Sequence, residues 1–150
     1  MGLWRLYLNI DWEEVKRTRN TMLYVAARID ENNVVLKTIA VDEADITDAN
    51  GNITGAKTTE WANYITKTEN GNWLYSGMRA DNNNTRGIQP GPGDLWHPTK
   101  EKFYAYKRFD SWVLNEETLQ FEAPVPRPED HSETNYYIWN EENQAWELRS

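Results

Sequence analysis

One pattern is written three times in the last third of the chain. It runs from Leu95-Trp96-His97 to Phe103-Tyr104, from Val113-Leu114-Asn115 to Phe121-Glu122, and from Ile138-Trp139-Asn140 to Trp146-Glu147. In each copy a large apolar pair is separated by seven residues (Trp96/Phe103, Leu114/Phe121, Trp139/Trp146), and Asn115-Glu116-Glu117 recurs verbatim as Asn140-Glu141-Glu142. The copies begin 18 and 25 residues apart, the mark of an internal duplication. Each copy predicts a β-hairpin whose paired rings face each other across the strands.

Side chains two apart share a strand face, so Asp94, Trp112 and Tyr137 join the stripes of Trp96, Leu114 and Trp139. The segments Pro98–Glu101, Glu116–Leu119 and Glu141–Gln144 are left as solvated turns. An isolated hairpin is marginal in water, so the three are expected to pool their stripes or to pack on the preceding unit. Pro124, Pro126 and Pro128 cannot donate to a ladder and favour extended chain; they read as a stiff spacer between copies two and three.

Upstream, Leu23–Ile29 and Val34–Val41 are apolar, partly β-branched runs joined by Asp30-Glu31-Asn32-Asn33, which predicts a hairpin. A second turn signal is Asp48-Ala49-Asn50-Gly51-Asn52. Its acidity suggests calcium, but an EF-hand register with Gly51 sixth puts Ile46 first and Lys57 twelfth, where carboxylates are required. It reads as a structural turn, and no metal site is expected. Thr58 or Thr59 is expected to cap a helix running to Thr66, with Trp61, Tyr64 and Ile65 as the stripe facing the sheet. Trp73-Leu74-Tyr75 reads as a short strand, and Arg79 to Gly93, rich in Asn, Gly and Pro, as a linker or exposed loop. Leu6, Leu8 and Ile10 alternate as a strand would, and Asp11 is placed to cap a short helical turn ending at Lys16, Arg17 and Arg19.

The resulting expectation is a mainly β chain with one or two short helices, an α+β fold. Residues 1–21 form an N-terminal arm or extension, 22–93 a small α+β unit built on a hairpin, and 94–150 three tandem aromatic β-hairpin repeats.

Composition narrows the function. At 150 residues the chain suffices for one ordinary core, burying roughly two-thirds of its unfolded surface. Cysteine is absent, which removes disulfides, thiolate metal sites and cysteine nucleophiles. A net charge of −8 argues against a nucleic-acid partner, which would need clustered Lys and Arg. No apolar run reaches the ~18 residues of a membrane span, no secretion signal opens the chain, and Leu6 breaks the myristoylation motif begun by Gly2.

The stretch Lys107-Arg108-Phe109-Asp110-Ser111-Trp112-Val113-Leu114-Asn115-Glu116-Glu117, then Phe121-Glu122-Ala123-Pro124, then Tyr137-Ile138-Trp139-Asn140-Glu141 with Trp146-Glu147, resembles a group of uncharacterised proteins of marine cyanobacterial phages and related ocean phages. Their wording is close to Lys-Pro-Phe-x-Ser-Trp-x-Leu-Asn, Ala-Pro, and a closing Tyr-x-Trp-x-Glu. The likeness extends upstream through Ala27–Val35, Asp48–Asn52 and Trp73, and so covers about Met22 to Ser150. Arg108 stands where the group has Pro, and residues 1–21 have no counterpart. The group offers no catalytic residues to carry over.

The resemblance implies a non-enzymatic virion or virion-associated structural protein, made in the host cytoplasm and attached at capsid, neck or tail. Its expected partners are other virion proteins or further copies of itself. No cofactor is expected. The alternative is a carbohydrate-binding module in which Trp96, Trp112, Trp139 or Trp146 stacks on host glycan. Enzyme activity is the weakest of the three. His97 and His131 are the sole near-neutral bases, and the adjacent carboxylates of Glu116-Glu117 and Glu141-Glu142 diverge on a turn instead of flanking a substrate.

Overall fold

A computed structural model of the chain describes residues 23–78 and 85–149. The strand and turn expected over residues 3–19, and the arm assigned to 1–21, lie outside the described residues. The chain divides into two compact units, Met1–Phe103 and Tyr104–Ser150.

The first unit is organised on strand β1 (Leu23–Ile29), flanked by β2 (Val35–Asp42) and β3 (Asn72–Gly77) in an antiparallel sheet of order β2-β1-β3. As the central strand, β1 has both faces covered, so its small Ala26 and Ala27 are fully buried on opposite sides. Ala26 packs with Val41, Ile46, Ala62 and Trp73. Ala27 and Ile29 pack with Val35, Trp96 and Phe103 on the other face. The β1–β2 turn forms as expected: the Asp30 carboxylate accepts from the Asn32 and Val34 amides (2.8 and 3.0 Å), and Asn33 takes a left-handed backbone (φ 63°).

A 3-10 turn (Glu43–Ile46) and helix α1 (Gly55–Thr66) cover the Ala26 face. The helix differs from expectation in two respects. It begins at Gly55, three to four residues before the expected cap, because Thr54 in extended backbone accepts from the Lys57 amide (3.1 Å). Of the Trp61/Tyr64/Ile65 stripe only Trp61 packs on the sheet-side core; Tyr64 and Ile65 are 57% and 42% exposed, while Thr58 and Ala62 are buried. Small and polar side chains make the contact with β3. Thr59 Oγ1 donates to the Trp73 carbonyl (3.1 Å) and accepts from its amide (3.0 Å). Asn63 accepts from the Trp73 indole (2.7 Å) and donates to the Gly71 carbonyl (3.0 Å). A fully buried indole thereby keeps its N–H satisfied.

The expected boundary near residue 93 falls instead at Phe103, because the first of the three hairpins belongs to the first unit. That hairpin is β4 (Leu95–His97) and β5 (Lys102–Tyr104). The Val35 amide donates to the Asp94 carbonyl (2.8 Å) and the Trp96 amide to the Asn33 carbonyl (2.9 Å), which lays the hairpin on the end of β2. Of the two readings of the Asn/Gly/Pro-rich stretch, residues 86–88 fit an exposed loop better than a linker: Gly87 and Ile88 are exposed, while Phe103 donates to Arg86 and accepts from Ile88, forming a parallel bridge at Gly87. The Arg86 guanidinium lies over the rings of Tyr75 (3.9 Å) and Trp96 (4.7 Å).

The second unit holds the other two hairpins, β6 (Val113–Asn115) with β7 (Gln120–Glu122), and β8 (Tyr137–Asn140) with β9 (Ala145–Leu148). The seven-residue spacing places Leu114 opposite Phe121 and Trp139 opposite Trp146. With these hairpins the whole architecture is the mainly β, α+β fold that the repeats predict.

Candidate functional site

The duplicated motif is first a way of making a turn. In every copy the loop between strands has four residues, and its last residue is left-handed: Glu101 (φ 54°), Leu119 (φ 57°) and Gln144 (φ 47°). The residue that opens each loop holds it with a side-chain acceptor. His97 Nδ1 accepts from the Lys100 amide (3.1 Å), Asn115 Oδ1 from those of Glu117 and Thr118 (2.9 and 3.2 Å), and Asn140 Oδ1 from that of Asn143 (2.9 Å). Asn115 and Asn140 then donate through their amide nitrogens to Glu122 (3.3 Å) and Glu147 (2.8 Å) on the opposite strand. Sequence reasoning did not assign these pairs, although their signal, Asn and Glu seven residues apart in both copies, is visible in it. The Asn143 and Asn140 amides hold the Glu147 carboxyl below its ordinary value.

His131, the other imidazole, is used in the same way. Its Nδ1 accepts from the Tyr137 amide (3.1 Å) and its ring lies against Tyr136 (4.8 Å). Asp48 accepts from the Asn50 and Asn52 amides (both 2.9 Å), turning an acidic loop onto its own backbone. Among the described residues no three metal-ligating side chains are gathered, and no helix is long and apolar enough to cross a membrane.

The aromatic core of the second unit is a group of four rings. Trp139 and Trp146 meet edge to face at 5.3 Å, Trp112 lies 6.1 Å from each, and Phe109 lies 5.2 Å from Trp112. Glu141 staples this group to the loop before β6. Its carboxylate accepts from the Ser111 hydroxyl (2.6 Å), the Ser111 amide (2.9 Å) and the Trp139 indole (2.8 Å). The Ser111 hydroxyl first, then the indole, hold its carboxyl below the ordinary carboxylate value.

The four tryptophans expected as platforms therefore separate. Trp96 is buried in the first unit against Phe103, with ring centres 4.7 Å apart, and Trp139 is buried in the second. Trp112 is partly buried among the other rings, and its buried indole nitrogen has no hydrogen-bond partner. Trp146 is partly exposed and forms one wall of a groove of about 500 Å³ with Phe121, Glu122, Val125, Pro126 and Arg127. The proline segment is more than a spacer: the Trp146 indole donates to the Val125 carbonyl (2.7 Å), which folds Val125–Arg127 back along β9. The Arg127 guanidinium centre lies 5.9 Å from the Trp146 ring centre.

Compared with family models, with curated proteins and with solved structures, the chain finds no match.

Proposed function

We propose that the chain is a non-enzymatic structural component of a phage particle, working through protein contacts at capsid, neck or tail. The phage assignment is supported by the resemblance over Met22 to Ser150. The structural role is supported by one observation: the polar groups that catalysis would draw on are engaged in holding the hairpins. His97, His131, Asn115, Asn140, Glu141 and Glu147 are bonded within their own turns or to a neighbouring loop. In the second unit Val113, Ile138 and Leu148 are 65%, 46% and 54% exposed, with Ile138 and Leu148 on opposite faces of the β8–β9 hairpin. The proposed partners are other virion proteins or a second copy of this chain. Mass spectrometry of purified particles tests the role, and absence of the chain there would refute it.

A second reading, recognition of host glycan, is favoured at one place. Trp146, one of the four expected platforms, faces a groove containing both a cation and an anion. Trp146→Phe should weaken glycan binding without unfolding the unit, and unchanged binding would remove this reading.

A further inference from the structure

Trp146 is fixed on several sides before any ligand arrives. Its indole N–H is bonded to the Val125 carbonyl (2.7 Å), and Trp139 and Trp112 pack against it at 5.3 and 6.1 Å. A ring held in this way loses little freedom when a ligand stacks on it, which lowers the cost of binding. At about 500 Å³ the groove lies within the ~300–1,000 Å³ usual for small-molecule sites. Its polar side chains are two and of opposite sign, the Glu122 carboxylate, one oxygen of which accepts from Asn115 (3.3 Å), as acceptor and the Arg127 guanidinium as donor. An apolar aromatic surface beside one donor and one acceptor suits a molecule with C–H faces and a rim of hydroxyls. Charge selects further. Residues 104–150 carry four Lys and Arg against ten Asp and Glu, a net −6, so their field repels polyanions.

We propose that the groove between Trp146, Phe121 and the Pro126–Arg127 segment binds one or two units of a neutral pyranose glycan. One sugar face lies on Trp146, and the hydroxyls lie between Arg127 and Glu122. This rests on the second reading above and is independent of whether the chain is part of a virion.

The test follows the indole N–H resonances of the full chain by NMR during titration with neutral cellotetraose, maltotetraose and mannotetraose, and with acidic tetragalacturonate. A neutral tetrasaccharide is expected to shift the Trp146 resonance saturably at millimolar concentration. Arg127→Ala, at an exposed side chain, should weaken that binding about tenfold, or 1.4 kcal/mol, with the melting temperature unchanged. A shift with tetragalacturonate alone would overturn the neutral-ligand assignment and leave glycan recognition standing. No Trp146 shift with any of the four sugars would overturn both. A neutral sugar that binds equally well to Arg127→Ala would show that this groove is not the site.

Discussion

The hydroxyl of Ser111 donates to the carboxylate of Glu141 across 2.6 Å, joining residues thirty positions apart in the chain. The same carboxylate accepts from the Trp139 indole, so one side chain ties the third hairpin to the loop before the second and orients a core ring. A deprotonated acceptor can hold three donors; a protonated one loses acceptor capacity.

This gives the second unit a pH dependence of defined sign. The folded carboxyls of Glu141 and Glu147 both titrate below the ordinary 4.5. The unfolded chain therefore takes up protons first, and the stabilisation, fully present above that value, is lost as pH falls through the lowered ones. Thermal unfolding followed by Trp fluorescence from pH 7 to pH 3 should show the melting temperature dropping below about pH 5. Glu141→Gln should lower it at pH 7 and flatten the acid slope. Parallel curves for the two proteins would contradict the role given to Glu141.

Trp112 and Trp139 pack on each other and both on Trp146 but differ in polar bonding, since the indole nitrogen of Trp112 is buried without a partner and that of Trp139 is bonded. Trp112→Phe removes an unsatisfied donor, which offsets part of the lost ring area, and should cost less than about 1 kcal/mol. Trp139→Phe should cost more. Chemical denaturation of both variants checks the order.

The left-handed residues that close the three loops make a graded prediction. Glu101 and Gln144 are exposed, and a non-glycine residue there bears roughly 1 kcal/mol of strain that glycine would relieve. Glu101→Gly and Gln144→Gly should therefore leave stability unchanged or raise it. Leu119 is left-handed but 7% exposed, so Leu119→Gly should destabilise by about 2 kcal/mol or more through lost burial. A loss at Gln144→Gly equal to that at Leu119→Gly would contradict this account of the turns.

At the head of the first loop, His97 stands where the other two copies have Asn. His97→Asn should retain the acceptor for the Lys100 amide and keep stability, whereas His97→Ala should cost about 1 kcal/mol. Equal effects of the two would mean that the imidazole is not a turn cap.

Gly87 has φ +86°, and a Cβ there would run into the carbonyl oxygen of Phe103. Gly87→Ala should therefore destabilise the first unit by about 2 kcal/mol or more. Denaturant unfolding checks it, and a neutral result would show that the Gly87–Phe103 bridge is dispensable.

What was legible in the sequence was local. The β1–β2 hairpin could be read because Asp30 and Asn33 carry the turn chemistry themselves, and the facing of Trp139 on Trp146 because a four-residue loop converts spacing seven into a cross-strand pair. What was not legible depends on distant partners. Hairpin β4–β5 reads like its two copies, yet bonds from Asn33, Val35 and Asp94 draw it into the first unit. Helix α1 buries Thr58 and Ala62, side chains too small to register as an apolar stripe, because Thr59 and Asn63 tie it to Trp73 and Gly71. The groove at Trp146 exists because the proline segment returns to the indole, a contact spanning 21 residues that no local pattern announces.

The proposed place of the chain in a phage particle is tested most directly by quantitative mass spectrometry of purified particles using isotope-labelled peptides of this chain. A structural component is expected at a fixed ratio to the major capsid protein, unchanged by salt washing and repeated gradient purification. Abundance in infected-cell lysate with absence from purified particles would contradict it.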